Sequence, residues 1–341
     1  MITPYLRYRL SILRTNATAM QMAAREAGKL WLPHLSGQIP QEVLKVLVHF
    51  AHGASCRTVH DSEQLAAAGF QSFILTRPVV DRVALARLAK VAASGKITVV
   101  VDHFRQAELL SHAMIAAGTT ADILIDVDLG QQTTGVRPGP DSARLAAAVI
   151  RLPNVRLRGV FLDDHSTDIY SNEKPPAPDF NQSLAIAQHC QRMIQADKIA
   201  CEEIVTGQTQ FRAAWSASCV SVLLGDPLHF AYHAASSNAA VVADSAVELV
   251  SRVLSRPSLE WCVVDVGAAD LGAADFGVCK QHPEVKTLRT RPRGASLLRM
   301  RTDVSTLTLC GESLDLRIGD EVVIATDSRA LRHNLPTLID E

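Results

Sequence analysis

The sequence predicts an α/β protein, a (β/α)8 TIM-type barrel followed by a second, smaller, mostly β domain. Three observations carry this. Between Leu30 and Leu224, short apolar or β-branched runs recur eight times. Helical patterns, with apolar residues three and four apart, lie between most of them. Near Ala239 the alternation gives way to strand-like stretches divided by Gly, Pro and charged turns. Strands alternating with helices over roughly two hundred residues describe a closed barrel better than an open sheet.

The elements follow in order. The N-terminal "TPYLRYRL" precedes the first barrel helix and is expected to cross over and pair with the β domain. Barrel strands are expected at Leu30–Leu35, Ser55–Val59, Ser72–Leu75, Ile97–Asp102, Ile123–Leu129, Leu157–Leu162, Ala200–Val205 and Ser221–Leu224. The intervening helical patterns are "PQEVLKVLVHFAH", "SEQLAAAG", "DRVALARLAKVAAS", "FRQAELLSHAMIAAG", "DSARLAAAVIR" and "FNQSLAIAQHCQRMIQA". In the β domain, "EWCVVDVG", "SLLRMRT", "STLTLCG" and "LDLRIGDEVVIAT" read as strands, the last with the turn of a small barrel or sandwich. Residues 8–238 are assigned to the barrel, and 239–341 together with 1–7 to the β domain.

Composition narrows the class. The chain has 341 residues, 48% of them apolar and 20% charged, enough for two cores. A formal net charge of −1 supplies no electrostatic reason to expect nucleic acid or an anionic membrane surface as a partner. The basic run Arg289, Arg291, Arg293 reads as a solvated loop or strand edge. Seven cysteines, an odd number without a CxxC pair, argue for reduced thiols and against a zinc knuckle or a disulfide framework. The start "MITPYLRYRL" has no apolar h-region, and no long uninterrupted apolar run follows, so a soluble, cytoplasmic protein is expected.

In such a barrel the chemistry sits where strands end. These ends read His34-Leu35-Ser36, Arg57-Thr58, Thr76-Arg77, Asp102-His103, Asp126-Val127-Asp128, Asp163-Asp164-His165, Thr206-Gly207-Gln208 and Gly225-Asp226. Polar strand ends also arise simply because they meet water. His34 reads as a recognition residue or as a buried histidine with one satisfied hydrogen bond. On a period-two strand it points the same way as Ser36, into the barrel mouth. The set Asp102, His103, Asp126, Asp128, Asp163, Asp164 and His165 is of the kind that binds a divalent cation in barrel hydrolases, or serves structural ends.

A resemblance sharpens these readings. "TPYLRYRLSILRTNATAMQMAAREAGKLWLPHL" and "SCRTVHDSEQLAAAGFQSFILTRPVV" resemble the N-terminal half of the D-threonine aldolase and D-serine dehydratase family, which belongs to the alanine-racemase-like, fold-type III enzymes. "DILIDVDLGQQTTGVRPGP", "LRGVFLDDH", "VVDVGAADLGAADFG" and "LRIGDEVVIATDSRALRHNL" are similar to later family segments, colinear over essentially the whole chain. The resemblance implies pyridoxal phosphate as cofactor, zinc at a C-terminal His-x-Cys pair, and a homodimer in which each β domain closes the other's barrel mouth.

The chain departs from the family where the chemistry lies. The family's first strand ends Pro-His-x-Lys-Thr-His-Lys, whose first lysine forms the Schiff base; here Pro33, His34 and Leu35 are followed by Ser36. A hydroxyl cannot form an imine, because that link needs a primary amine. Lys29 and Lys96 begin strands, at the wrong end of the barrel, and Lys45 faces outward or into packing. The family's glycine-rich phosphate cup aligns with Thr206-Gly207-Gln208-Thr209-Gln210, in which glutamine side chains crowd an approaching phosphate. The arginine expected after the fifth strand is replaced within Gln131, Gln132, Thr133 and Thr134. The tyrosine before the sixth-strand histidine is lost within Leu162-Asp163-Asp164, while His165 remains. The resemblance implies that Arg137, before Pro138-Gly139, fixes a turn as it does in the family. The zinc pair aligns with Ser328 and Ala330, neither a zinc ligand.

Two functions of different class follow. One is a degenerate, non-catalytic relative that binds a small anion, an amino-acid-like ligand or a protein partner, with His34, Ser36, Asp128, His165, Thr206, Gly207, Gln208 and Thr209 as ligand-binding candidates. It would form a homodimer or a mixed dimer with an active paralogue. The other is an active lyase or aldolase on a D-hydroxy-amino acid, using noncovalent pyridoxal phosphate or a divalent metal at the mouth.

Overall fold

The computed structural model describes residues 2–51, 53–130, 133–162, 180–207, 212–228, 245–271, 290–325 and 335–341. The chain enters through β1 (Tyr5–Arg9) and α1 (Leu10–Glu26). It continues through β2 (Leu30–Pro33), α2 (Gln41–Leu47), β3 (Gly53–Cys56), α3 (Val59–Ala68), β4 (Ser72–Leu75), α4 (Arg82–Ala92), β5 (Lys96–Val101) and α5 (Phe104–Ala116). Then come β6 (Ala121–Asp126), α6 (Pro140–Val149), β7 (Val155–Leu162), α7 (Phe180–Ala196), β8 (Glu203–Thr206), α8 (Arg212–Ser216) and β9 (Val222–Gly225). Strands β2 to β9 form one parallel sheet in the order β2-β9-β8-β7-β6-β5-β4-β3. A parallel bridge between His34 and Ser55 joins its two ends, so an eight-stranded barrel closes.

Several strand limits differ from expectation; the strand expected at Ile123–Leu129 is Ala121–Asp126 and that at Ala200–Val205 is Glu203–Thr206, and two further ends bear on the site. Strand β3 stops at Cys56 because Thr58 caps a helix: its side chain accepts the Asp61 N–H at 3.1 Å, and Asp61 accepts the Thr58 N–H at 3.0 Å. This reciprocal capping box satisfies two donors that a helix start leaves open, and Val59 becomes helical. Strand β2 stops at Pro33, beyond which only the His34 bridge continues the pairing.

Alternate strand residues face opposite sides. Leu32, Ile74, Val100, Leu124, Phe161, Val205, Val222 and Leu224 fill the barrel interior. Their neighbours, among them Trp31, Phe73, Val99, Ile123, Val160 and Leu223, pack outward against Leu44, Leu65, Leu88, Leu110, Val149 and Ala187 of the helices. Burying one such large apolar side chain stabilises by about 1.5–3 kcal/mol. The N-terminal end of the barrel is closed by ions instead. Arg158 donates to Glu203 at 2.6 Å and to the Thr98 hydroxyl at 3.0 Å, while Arg156 forks onto Asp122 with two 3.0 Å bonds. Close approach of β7 and β8 needs Gly159, where a Cβ would stand 1.9 Å from the Glu203 carbonyl oxygen.

The second sheet is mostly antiparallel. It comprises β10 (Val247–Ser255), β11 (Trp261–Val264), β12 (Thr290–Arg291), β13 (Ala295–Met300), β14 (Ser305–Leu309), β15 (Glu321–Ala325) and β16 (Thr337–Asp340), with a short helix, α9 (Ala268–Leu271). The order is β12-β15-β10-β11-β14-β13, and β1 inserts between β10, antiparallel, and β16, parallel. Strands β10 and β16 are absent from the sequence-based expectations. The apolar residues Val247, Leu249, Val250, Val253 and Leu254 follow neither strict alternation nor one helical face. Simultaneous pairing with β1, β11 and β15 makes β10 the central strand. Among the described residues, no helix is long and apolar enough to cross a membrane.

Candidate ligand site at the barrel mouth

The C-terminal strand ends bring the described candidates to one end of the barrel, but commit several of them to holding loops. His34 extends the pairing of β2 on both sides: its N–H donates to the Gly225 carbonyl at 2.9 Å, and Nδ1 lies 3.0 Å from the Ser55 hydroxyl. Two residues beyond the interior Leu32, it faces the mouth and is half-buried.

Past His34 the backbone turns. The Leu35 N–H donates to the Ser55 carbonyl at 2.8 Å and its side chain enters the core. The half-buried Ser36 then donates its hydroxyl to Asp61 Oδ2 at 2.8 Å, and the Gly37 N–H donates to Oδ1 of the same carboxylate at 3.2 Å. Asp61 is only 6% exposed and also receives the Thr58 N–H. One buried carboxylate thus joins the β2–α2 loop to the start of α3. From the other side, the phenol of Tyr8 in β1 donates to the Gln38 carbonyl at 3.3 Å. Burial, reinforced by the charge of Asp226, pushes that phenol well above the ordinary tyrosine value. Sequence reasoning missed both Asp61 and Tyr8. The Thr58-x-x-Asp61 spacing signals the helix cap, but nothing local in the sequence signals the bond to Ser36.

The acidic strand ends are similarly occupied. Asp102 accepts the Gln106 side-chain N–H at 2.6 Å and the Gly135 N–H at 2.9 Å. Gly135 has φ +122°, and a Cβ there would stand 2.4 Å from the Asp128 nitrogen, so the turn requires glycine. Asp128 accepts the Gly130 N–H at 2.8 Å, and its own N–H donates to the Val136 carbonyl at 2.9 Å. His103 caps α5, its Nδ1 accepting the Arg105 N–H at 3.0 Å. Arg137 pairs with Asp141 at 2.9 Å on the surface. Thr206 is buried at the end of β8, and the Gly207 N–H donates to the Leu162 carbonyl at 3.2 Å. Among the described residues, no group of three or more His, Cys, Asp or Glu side chains is arranged to hold a metal. Asp163, Asp164, His165, Gln208, Thr209, Gln210, Ser328 and Ala330 lie outside the described residues, as do Gln131 and Gln132.

Comparison with known proteins gives this mouth a lineage. The family model described as the alanine racemase N-terminal domain matches residues 35–220, more than half of the chain. The chain belongs to the alanine racemase N-terminal domain family. Within the family's wider relatives, it is 28% identical to a D-threonine aldolase of Arthrobacter sp over 275 residues, 78% of this chain and 71% of that one. It is 26% identical to a 3-hydroxy-D-aspartate aldolase of Paracoccus denitrificans over 161 residues, 46% of this chain and 42% of that one. The crystal structure of D-threonine aldolase from Filomicrobium marinum superposes with a TM-score of 0.81 at 23% identity, covering 97% of this chain and 89% of that one. That likeness carries the fold, a barrel with a separate β domain.

The cofactor implied by the family resemblance can be tested against the donors present. Covalent pyridoxal phosphate needs a primary amine at a strand's C-terminal end. Lys29 opens the barrel's opposite end, its Nζ donating to the carbonyls of Ala217 and, at 2.8 Å, Val220. Lys96 is the first residue of β5, and Lys198 precedes β8. Lys45 and Lys90 are exposed on α2 and α4. Lys174, Lys280 and Lys286 lie outside the described residues. The described residues therefore do not fit a covalent attachment: position 36 offers a hydroxyl, already engaged by Asp61.

Proposed function

We propose that this protein is a relative of the D-threonine and hydroxyaspartate aldolases that has given up the covalent lysine–cofactor link and binds a small amino-acid-like or anionic ligand at the barrel mouth. The observation that carries this reading is Ser36. It stands where the family resemblance requires the lysine, and its hydroxyl is spent on the buried Asp61 carboxylate. A homodimer whose β domains cover the mouths belongs to the same proposal, with a mixed dimer beside an active paralogue as its regulatory form.

The test is a titration of the purified protein with pyridoxal phosphate followed by absorbance, then borohydride reduction and mass mapping, with metal content measured on the same sample. No imine band, no adduct beyond the level of exposed surface lysines and no stoichiometric metal are expected. Melting in the presence of D-threonine or inorganic phosphate should rise with ligand concentration, since a ligand that binds only the folded state stabilises it. An imine band that maps to one lysine at the mouth defeats the proposal. A second reading is favoured by the long match to the Arthrobacter aldolase: an active lyase on a D-hydroxy-amino acid with noncovalent cofactor or a divalent metal. Release of glycine from D-threonine by the protein with added pyridoxal phosphate and metal would establish it.

A further inference from the structure

We infer that Ser36 and Asp61 form a latch matched to each other, in which the Asp61 carboxylate would hold any amine placed at position 36 in its protonated, non-nucleophilic form. This rests on the reading of Ser36 given above and extends it: the loss of the lysine is locked in by a second residue. The carboxylate receives three neutral donors, from Ser36, Gly37 and Thr58. Among the described residues it has no ion-pair partner, and it is 6% exposed. Its position is over-determined, because Oδ2, which binds Ser36, also closes the capping box of α3. A buried carboxylate within hydrogen-bond reach favours the charged form of a nearby amine. Imine formation needs the nitrogen lone pair of the neutral form, which bonds to the aldehyde carbon as water leaves. Serine, a neutral donor, suits this carboxylate; a lysine would become its counter-ion.

The test uses the full chain with Ser36→Ala, Ser36→Lys, Asp61→Asn, Ser36→Lys/Asp61→Asn and Ser36→Ala/Asp61→Asn. Asparagine keeps an oxygen for the cap donors; Asp61→Ser, which also retains an acceptor, replaces it if the asparagine variants fail to fold. Pyridoxal phosphate is the probe, trapped by borohydride and mapped by peptide mass. Ser36→Lys should carry no more adduct at residue 36 than exposed Lys45 does. Ser36→Lys/Asp61→Asn should carry about tenfold more, the effect of a one-unit change in amine pKa. Thermal melting supplies a second readout. Ser36→Ala should lower Tm by about 2 °C in the wild-type background and by well under that when Asp61 is already asparagine, because coupled residues lose their interaction once.

Equal labelling of Ser36→Lys with and without Asp61 overturns the inference, as does background labelling in both, since neither then depends on the carboxylate. Additive melting shifts overturn the latch. Failure of the underlying proposal is distinct: it shows as an adduct on a mouth lysine of the unmutated protein.

Discussion

His34 and Ser55 close the barrel: they form the parallel bridge between its first and second strands, and the imidazole Nδ1 lies 3.0 Å from the serine hydroxyl. Ser55 is fully buried. Replacing it with alanine removes one hydrogen bond between this buried hydroxyl and the half-buried imidazole and should cost about 1 kcal/mol. Urea unfolding of Ser55→Ala against wild type checks this; an unchanged midpoint would mean that the strand pairing alone closes the seam.

Tyr8 links the β domain to the loop that carries Ser36. Tyr8→Phe keeps the buried ring and deletes only the bond to the Gln38 carbonyl, so a loss of about 1 kcal/mol is expected. Tyr8→Ala empties a core position and should cost about 3–5 kcal/mol, as truncating a large aromatic does. Hydrogen exchange at residues 36–39 should rise in Tyr8→Phe if the phenol pins this loop.

Gly159→Ala tests the packing of β7 on β8. A Cβ 1.9 Å from the Glu203 carbonyl oxygen cannot be accommodated without separating the strands. A loss of about 3 kcal/mol, the upper range for overpacking, is expected in thermal or denaturant unfolding. Gly118→Ala is the comparison: nothing lies within 4 Å of an added Cβ and φ is +64°, so only backbone strain of about 1 kcal/mol applies.

The cysteines predict a pH dependence. Burial pushes the Cys201 thiol up to about 12, and raises Cys56 and Cys262 as well. These thiols keep their protons when folded, whereas the unfolded chain releases them above a pH of about 8.5. The folded state then binds more protons than the unfolded one, so stability should fall as pH rises above that value, and Cys201→Ala should flatten the slope. At pH 8, iodoacetamide should modify exposed Cys310 ahead of buried Cys56, Cys190, Cys201 and Cys262. Mass mapping after a short reaction reads the order.

Much of the fold was legible in the chain because barrel periodicities are local. Apolar runs such as Ile97–Val101 and Ile123–Ile125 announce buried parallel strands, and helix starts announce themselves by caps such as Asp81, whose side chain accepts the Ala84 N–H at 2.8 Å. The strand end at His34 and the serine two residues beyond it were equally visible. Strand β10 was not, since two of its three partners, β1 and β15, lie far away in sequence and its pattern is ambiguous without them. The acidic strand ends read as a possible cation ring, yet Asp102 and Asp128 are used to shape the loop after β6.

By itself, then, the sequence determined the eight barrel strands with helices between most of them, the mostly β second domain and the presence of a hydroxyl rather than an amine at position 36, because each depends on residue type or on spacing within a few positions. Only the tertiary structure decided what that hydroxyl does. Asp61 stands 25 residues from Ser36, and barrel closure sets the start of α3 beside the β2–α2 loop; a hydrogen bond across that interval follows from the packing of two strands and a capped helix, which no local pattern encodes.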